Sequence, residues 1–129
     1  MIRWSILGIF LAYTLTSLAQ LNPVHYQIPG SVYTQGFNQL PISGTSTLTG
    51  KGPHALDQPP LLLHTLTGWQ LMQIAGSQPN TNFLSGTGSG TGSGIYSFGQ
   101  SGNPNRSLGS LASGTGVYAW GVVFENRTG

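Results

Sequence analysis

The first apolar stretch of the chain, Trp4–Leu15, follows a short basic start that contains Arg3 and precedes small residues that end at Ala19. This order of segments is that of a secretory signal peptide. A membrane-spanning helix needs about 20 predominantly apolar residues, and this stretch is shorter. We therefore expect residues 1–19 to form a hydrophobic signal helix, cleaved between Ala19 and Gln20, through which alone the chain meets a membrane.

Beyond residue 19, Gly, Pro, Ser and Thr interrupt nearly every window long enough for a helix, which favours short strands. β-branched and aromatic residues cluster between turn-forming residues, as is typical of strands. The number of such clusters predicts an all-β fold, an antiparallel β-sandwich of the jelly-roll type. The predicted strands are Val24–Ile28, Ser31–Phe37, Trp69–Ile74, Gly94–Phe98 and Val117–Phe124.

The same pattern predicts which strand faces are buried. Tyr33 and Phe37 share one face under the two-residue period of a strand, and we expect that face to be buried. Val117–Phe124 is apolar on both faces, which predicts a central strand. The run Leu61–Leu66 is too short to distinguish a helix from a strand. Residues 85–94 alternate Gly with Ser or Thr, which predicts a flexible loop with little to pack.

Residues 20–129 suffice for one small domain and are too few for two well-packed ones. They carry three basic and two acidic residues, a net charge of +1, so the electrostatic footprint of nucleic-acid binding is missing. Low charge combined with many aromatic residues favours a folded chain over a disordered one. The chain has no cysteine, which excludes disulfides and thiolate metal sites. The charged residues are Lys51, Asp57, Arg106, Glu125 and Arg127.

No group of residues has the spacing of a catalytic or cofactor site. Gly86–Gly90 is followed by no Lys and lacks a strand-to-helix setting, so it does not resemble a phosphate-binding loop. Asp57 and Glu125 lie far apart in the sequence, which disfavours two-carboxylate catalysis. The histidines lack the spacing of zinc ligands; they are His25, His54 and His64. We predict no catalytic residues, no metal site, no cofactor and no enzyme activity.

Aromatic residues are the candidates for ligand binding, because an aromatic ring matches the apolar face of a pyranose. The candidates for such a stacking platform are Trp69, Tyr96, Tyr118 and Trp120. Core packing is the alternative, since aromatic side chains supply much of the buried area in small domains. We expect Trp69, and at least one of Tyr118 and Trp120, to belong to the core. A binding platform requires exposed rings.

The chain also contains an ordered series of short motifs: YTQGFNQLP at Tyr33–Pro41, LTGW at Leu66–Trp69, GIYSFG at Gly94–Gly99, NRSLGSLASG at Asn105–Gly114 and FENRTG at Phe124–Gly129. In order and spacing, the series resembles the N-terminal β-sandwich region of large secreted bacterial surface proteins. Those proteins carry a C-terminal sorting signal and sometimes lamin-tail or nuclease modules. The resemblance implies a sandwich without a defined activity of its own.

Two further expectations come from this resemblance. In the similar proteins an Asp usually occupies the position of Asn105, and often an Ala that of Ser107. The resemblance therefore implies that Arg106 bonds to backbone carbonyls here instead of forming a salt bridge with that Asp. In the similar proteins the motif at Phe124–Gly129 leads into further strands, so the resemblance implies that this chain is a fragment holding an incomplete sandwich.

Together these features predict a secreted or cell-surface module that is non-catalytic and serves adhesion, carbohydrate contact or spacing. Its expected partners are glycans or other surface proteins. One alternative is the N-terminal fragment of an exported hydrolase or nuclease. Another is a self-associating structural protein, because unpaired β edges promote assembly.

Overall fold

The computed structural model describes residues 22–129, so the expected signal peptide and its cleavage site at Ala19 and Gln20 lie outside the described residues. Residues 22–129 form nine strands and no helix. The prediction of an all-β fold is confirmed. The strands are β1 (Val24–Tyr26), β2 (Thr45–Leu48), β3 (His54–Ala55), β4 (Trp69–Ala75), β5 (Thr81–Gly86), β6 (Gly94–Phe98), β7 (Ser107–Leu111), β8 (Val117–Val122) and β9 (Phe124–Asn126).

The strands pair into three sheets, with the orders β2-β5-β6-β7, β3-β4-β8 and β1-β9. The pairs β1–β9 and β5–β6 are parallel, whereas the other pairs are antiparallel. The predicted antiparallel pairing therefore holds for four of the six strand pairs within residues 22–129, and the pairs β1–β9 and β5–β6 depart from it. Parallel neighbours usually need a crossover of a dozen or more residues, but here residues 87–93 suffice to bring β6 back to the start of β5.

The two larger sheets share one buried cluster of apolar side chains. Along β4 burial alternates: Trp69, Leu71 and Gln73 are buried, whereas Gln70 and Met72 are partly exposed, as the two-residue period of a strand requires. Because the cluster draws on both sheets, removal of its apolar area from water stabilises them together. Its members are Leu40, Leu48, Leu56, Leu66, Trp69, Leu71, Phe83, Ile95 and Tyr118.

The segment Ser31–Phe37, predicted as a strand, belongs to no sheet. Tyr33 and Phe37 are nevertheless partly buried, while the residues next to them are exposed. The Tyr33 hydroxyl accepts a hydrogen bond from Trp69 Nε1 at 3.0 Å, and the Phe37 ring meets the Trp69 ring edge-on, with centroids 5.1 Å apart. The alternation in the sequence thus reflects side-chain packing without a backbone ladder.

The predicted central strand, Val117–Phe124, is an edge. It divides into β8 and β9 after Val122, and β8 pairs with β4 but with no other strand among residues 22–129. Trp120 on β8 is 43% exposed. The sequence is apolar on both faces because one face of β8 contacts the core while the other borders a surface groove.

The strands that the sequence pattern did not predict are β2, β3, β5 and β7. They are short or rich in Ser, Thr and Gly, so they lack the contiguous β-branched and aromatic residues on which the prediction depends. Leu61–Leu66 is neither helix nor strand but a series of turns, in which Leu66 is fully buried.

The glycine-rich loop is shorter than the predicted range 85–94, because Ser85 and Gly86 end β5 and Gly94 begins β6. The remaining crossover, residues 87–93, does have a packing partner. The Tyr96 hydroxyl donates a hydrogen bond to Gly92 O at 2.7 Å, which ties the crossover to β6.

Candidate functional site

Trp69, the first of the predicted aromatic candidates, is a core residue. It begins β4 and is 9% exposed. Its ring lies against Phe37, and its indole N–H donates a hydrogen bond to the Tyr33 hydroxyl. A ring enclosed in this way cannot stack on a ligand, and Trp69 instead connects the segment before β2 with the core.

Tyr96 is also buried, on the face of β6 opposite to the core residue Ile95. Its ring stacks on Phe98, with centroids 4.9 Å apart and an interplanar angle of 6°. Because its hydroxyl bonds to Gly92, the ring lies beneath the crossover. The position of Tyr96 is therefore structural.

Tyr118 is the third buried candidate, at 7% exposure, and belongs to the core cluster. Its ring passes close to Gly116: a Cβ on Gly116 would lie 2.4 Å from the Tyr118 hydroxyl oxygen. The expectation that Trp69 and at least one of Tyr118 and Trp120 belong to the core is confirmed.

Trp120 is the only one of the four candidates that is substantially exposed. Its ring is tilted by 32° against the Trp69 ring, with centroids 6.2 Å apart. This contact with a core residue restricts the indole while part of its surface stays in water. The structure therefore does not assemble the four candidates into one platform, and it leaves Trp120 as a single anchored ring.

A groove of about 240 Å³ lies beside Trp120, over the paired strands β4 and β8. Gly121 faces open space, with no atom within 4 Å of a Cβ placed on it, so the groove is open where the side chain is missing. The sequence pattern did not predict the groove. The feature that could have indicated it is the pairing of small residues on β8 with longer side chains on β4. The lining residues, apolar apart from one amide, are Pro53, Gln70, Leu71, Met72, Ala119, Trp120, Gly121, Val122 and Val123.

A second aromatic depression, which sequence reasoning also missed, adjoins the β1–β9 pair. It has a volume of about 390 Å³ and is lined by Tyr26, Tyr33, Phe124 and Asn126. Phe124 is 45% exposed and meets the Tyr33 ring edge-on, with centroids 4.9 Å apart. Its rings come from three separate segments, which is why no local motif reveals it.

A third pocket, about 240 Å³, contains Arg106 at one end of the β5–β6 pair. Arg106 Nε donates to Ser97 Oγ at 2.9 Å, Nη1 donates to Gln100 O at 3.0 Å, and Nη2 donates to Ser97 O. The expectation that Arg106 bonds to backbone carbonyls is confirmed. Ser97 Oγ in turn donates to Pro41 O at 2.7 Å, so the guanidinium is fixed in position.

The histidines have separate surroundings. His25 Nε2 lies 3.2 Å from Glu125 Oε2, His54 Nε2 lies 3.3 Å from Gly50 O, and His64 is exposed in a turn. Within residues 22–129, no three His, Cys, Asp or Glu side chains lie close enough to hold a metal ion.

The two carboxylates also have different partners. Asp57 is buried and accepts a hydrogen bond from Asn22 at 3.3 Å. Glu125 is accessible to solvent and accepts a hydrogen bond from Arg127 at 2.9 Å. That bond, aided by the positive charges of Arg127 and His25, holds the pKa of Glu125 below its ordinary value. It also raises the pKa of Arg127. The two carboxylates thus take part in separate hydrogen bonds.

In the part of the chain from residue 22 onwards, no helix is long and apolar enough to cross a membrane. Comparison of the sequence with protein-family models and with curated proteins, and of the fold with solved structures, gave no match.

Proposed function

We propose that this protein is an exported, non-catalytic β-sandwich module that contacts carbohydrate through Trp120. The observation that carries the proposal is a tryptophan, 43% exposed, at the border of an apolar groove. A sugar ring presents an apolar face and polar edges. Trp120 offers a surface for that apolar face.

The restraint on Trp120 supports this assignment. Ordering a mobile side chain on binding costs about 0.5–1.5 kcal/mol, and contact with Trp69 lowers that cost because the ring is already held. Trp69 is itself fixed through Tyr33 and Phe37. A chain of contacts therefore connects the proposed binding residue to the core.

The cellular setting rests on the sequence. The pattern of residues 1–19 supports export,, and we propose secretion or the cell surface as the location. The core shared by the two larger sheets supports a sandwich. The series of motifs from Tyr33 to Gly129 supports a relationship with secreted bacterial surface proteins, in which the module serves adhesion or spacing.

The test is a glycan array probed with the purified protein, followed by titration of the best glycan with the Trp120→Ala variant. We expect Trp120→Ala to weaken binding at least about tenfold, or about 1.4 kcal/mol, because the stacking surface is lost. Ile74→Ala is the matched control: Ile74 is 57% exposed on β4 but lies outside the groove, and its removal should leave affinity unchanged.

Phe124→Ala distinguishes the two aromatic sites. If it abolishes binding while Trp120→Ala does not, the depression beside β1 and β9 is the binding site and the assignment to Trp120 is wrong. An array on which no glycan binds also contradicts the proposal.

Self-association is the second candidate function, favoured by the unpaired edge of β8. The strand has no second partner within residues 22–129, and exposed edges can pair with another chain. Sedimentation at increasing protein concentration, run before the array, measures this directly. Growth in size with concentration favours assembly, and a monomer at every concentration favours the binding module.

A further inference from the structure

Arg106 is the most deeply buried charged side chain among residues 22–129, with 4% exposure. The whole sequence contains only two acidic residues. Asp57 is bonded to an asparagine, and Glu125 to Arg127. Within the described residues no carboxylate forms an ion pair with Arg106. A buried charge is costly unless it is paired, and this guanidinium has only neutral partners.

The hydrogen bonds of Arg106 leave part of its donor capacity unused. A guanidinium has five N–H groups, and within residues 22–129 Arg106 donates three bonds, one each from Nε, Nη1 and Nη2. One N–H therefore remains on each terminal nitrogen. Two parallel N–H groups on Nη1 and Nη2 form the fork that binds both oxygens of a carboxylate.

The surroundings give this fork space and hold it in place. Ser97 supports the guanidinium through its hydroxyl and its carbonyl oxygen. A Cβ on Gly99 would lie 2.7 Å from Arg106 Nη1 and 2.6 Å from Asn105 O. Only glycine at position 99 therefore leaves the guanidinium in this position.

The pocket in front of Arg106 is small, and its lining is polar apart from Ile42 and glycines. Its volume is about 240 Å³, slightly below the range of about 300–1,000 Å³ typical of small-molecule sites. Ser43, Ser85 and Ser101 line it, next to Gly44. The Ser85 hydroxyl already donates to Pro41 O at 2.8 Å, so Ser43 and Ser101 are the serines that can donate to an anion. No acidic side chain lines the pocket to repel one.

We infer that this pocket binds a small carboxylate, held end-on by Nη1 and Nη2 of Arg106, such as the carboxylate of a uronic acid. The bound anion supplies the counter-charge that the chain lacks, and the hydroxyls around it contact the remainder of the ligand. The site shares no lining residue with the Trp120 groove, so it does not depend on carbohydrate stacking there.

The experiment is a calorimetric titration of the purified protein with sodium glucuronate, glucose and sodium sulfate, at constant ionic strength set with NaCl. Glucuronate and glucose share a ring and differ in the carboxylate, so we expect binding of glucuronate and none of glucose. Sulfate tests whether the site selects a carboxylate, because a guanidinium fork by itself also binds tetrahedral oxyanions in a bidentate manner. Sulfate binding as tightly as glucuronate would overturn the assignment to a carboxylate, and absence of glucuronate binding would overturn the site.

Variants locate the binding. Arg106→Lys keeps the charge but loses the fork, and we expect it to weaken glucuronate binding about tenfold or more. Because Arg106 also supports the fold, a second variant leaves it intact: Ser101→Asp places a carboxylate at the exposed rim of the pocket and should abolish binding by competing for Arg106. Ser77→Asp is the matched control, with the same change of charge at an exposed position outside the pocket.

Two results would contradict this location. One is equal loss of binding in Ser101→Asp and Ser77→Asp, which would indicate general charge repulsion. The other is loss of glucuronate binding in Trp120→Ala, which would place the ligand in the other groove. Unchanged glucuronate binding in Trp120→Ala supports the Arg106 site whether or not the proposed function holds.

Discussion

At the scale of single residues, Gln73 and Tyr118 face each other across β4 and β8. They carry the buried side-chain atoms that have no hydrogen-bond partner among residues 22–129, Gln73 Oε1 and Tyr118 OH. The amide nitrogen of Gln73 does have a partner, because it donates a hydrogen bond to Ala75 O at 3.1 Å. This bond lies where the register of the β4–β8 pair shifts, between Gln73 and Ala75. Gln73 thus stabilises a bulge, whereas the Tyr118 hydroxyl carries a desolvation cost without compensation.

Removing that hydroxyl should not destabilise the protein. We expect Tyr118→Phe to leave the free energy of unfolding unchanged or to raise it by up to about 1 kcal/mol. Tyr96→Phe is the matched control, because Tyr96 is buried to a similar extent as a residue, at 5% exposure against 7% for Tyr118. Its hydroxyl is bonded to Gly92 O at 2.7 Å, and removal of that hydroxyl should cost about 1 kcal/mol. Urea denaturation of the three proteins measures the difference, and a larger loss for Tyr118→Phe would contradict the structure.

At the scale of elements, the outer face of β6 is closed by close approach of glycines to aromatic rings. A Cβ on Gly109 of β7 would lie 2.8 Å from the Phe98 ring, and that ring stacks on Tyr96. A Cβ on Gly86 of β5 would lie 3.2 Å from the Tyr96 ring. The two strands that flank β6, β5 and β7, therefore each carry a glycine at the point where an aromatic ring of β6 lies against the strand.

This arrangement predicts different costs for the same substitution on two strands. Gly109→Ala should destabilise the protein by about 1–3 kcal/mol, because the methyl group forces the stacked rings apart. Gly121→Ala on β8, where a Cβ meets nothing within 4 Å, should be neutral or slightly stabilising. Thermal unfolding of both variants tests this, and equal destabilisation would show that loss of glycine alone, without the ring contact, is responsible.

At the scale of the whole molecule, the core cluster couples the two larger sheets. Ile95 of the four-stranded sheet is fully buried in the same cluster as Leu71 of the three-stranded sheet. Trp69 and Trp120 both belong to the three-stranded sheet, so tryptophan fluorescence reports on that sheet alone among the described residues, whereas far-ultraviolet circular dichroism reports on all strands.

We expect Ile95→Ala to destabilise both sheets together, by about 2–5 kcal/mol for a buried aliphatic residue. The midpoints followed by fluorescence and by circular dichroism should move equally, as a single cooperative transition requires. Val32→Ala, at a position 85% exposed, is the control and should change neither midpoint. A shift seen by circular dichroism alone would mean that the sheets unfold independently.

The sequence by itself determined the class of the fold and the location of several strands. Beyond residue 19, glycine, proline, serine and threonine interrupt nearly every window long enough for a helix, and β-branched and aromatic clusters lie at β1, β4, β6 and β8. These are local properties of the backbone and of side-chain shape, so a single sequence carries them. The backbone bonds of Arg106 were also expected, but only through a resemblance and not from local chemistry.

Only the tertiary structure decided which apolar residues pair and which remain in water. Trp69 and Trp120 are both tryptophans on strands, yet neighbours from distant segments enclose one and leave the other at an edge. The Arg106 pocket likewise forms between segments around Gly44, Ser85 and Ser101. Burial and charge pairing depend on contacts between residues far apart in the chain, which periodicity and composition do not encode.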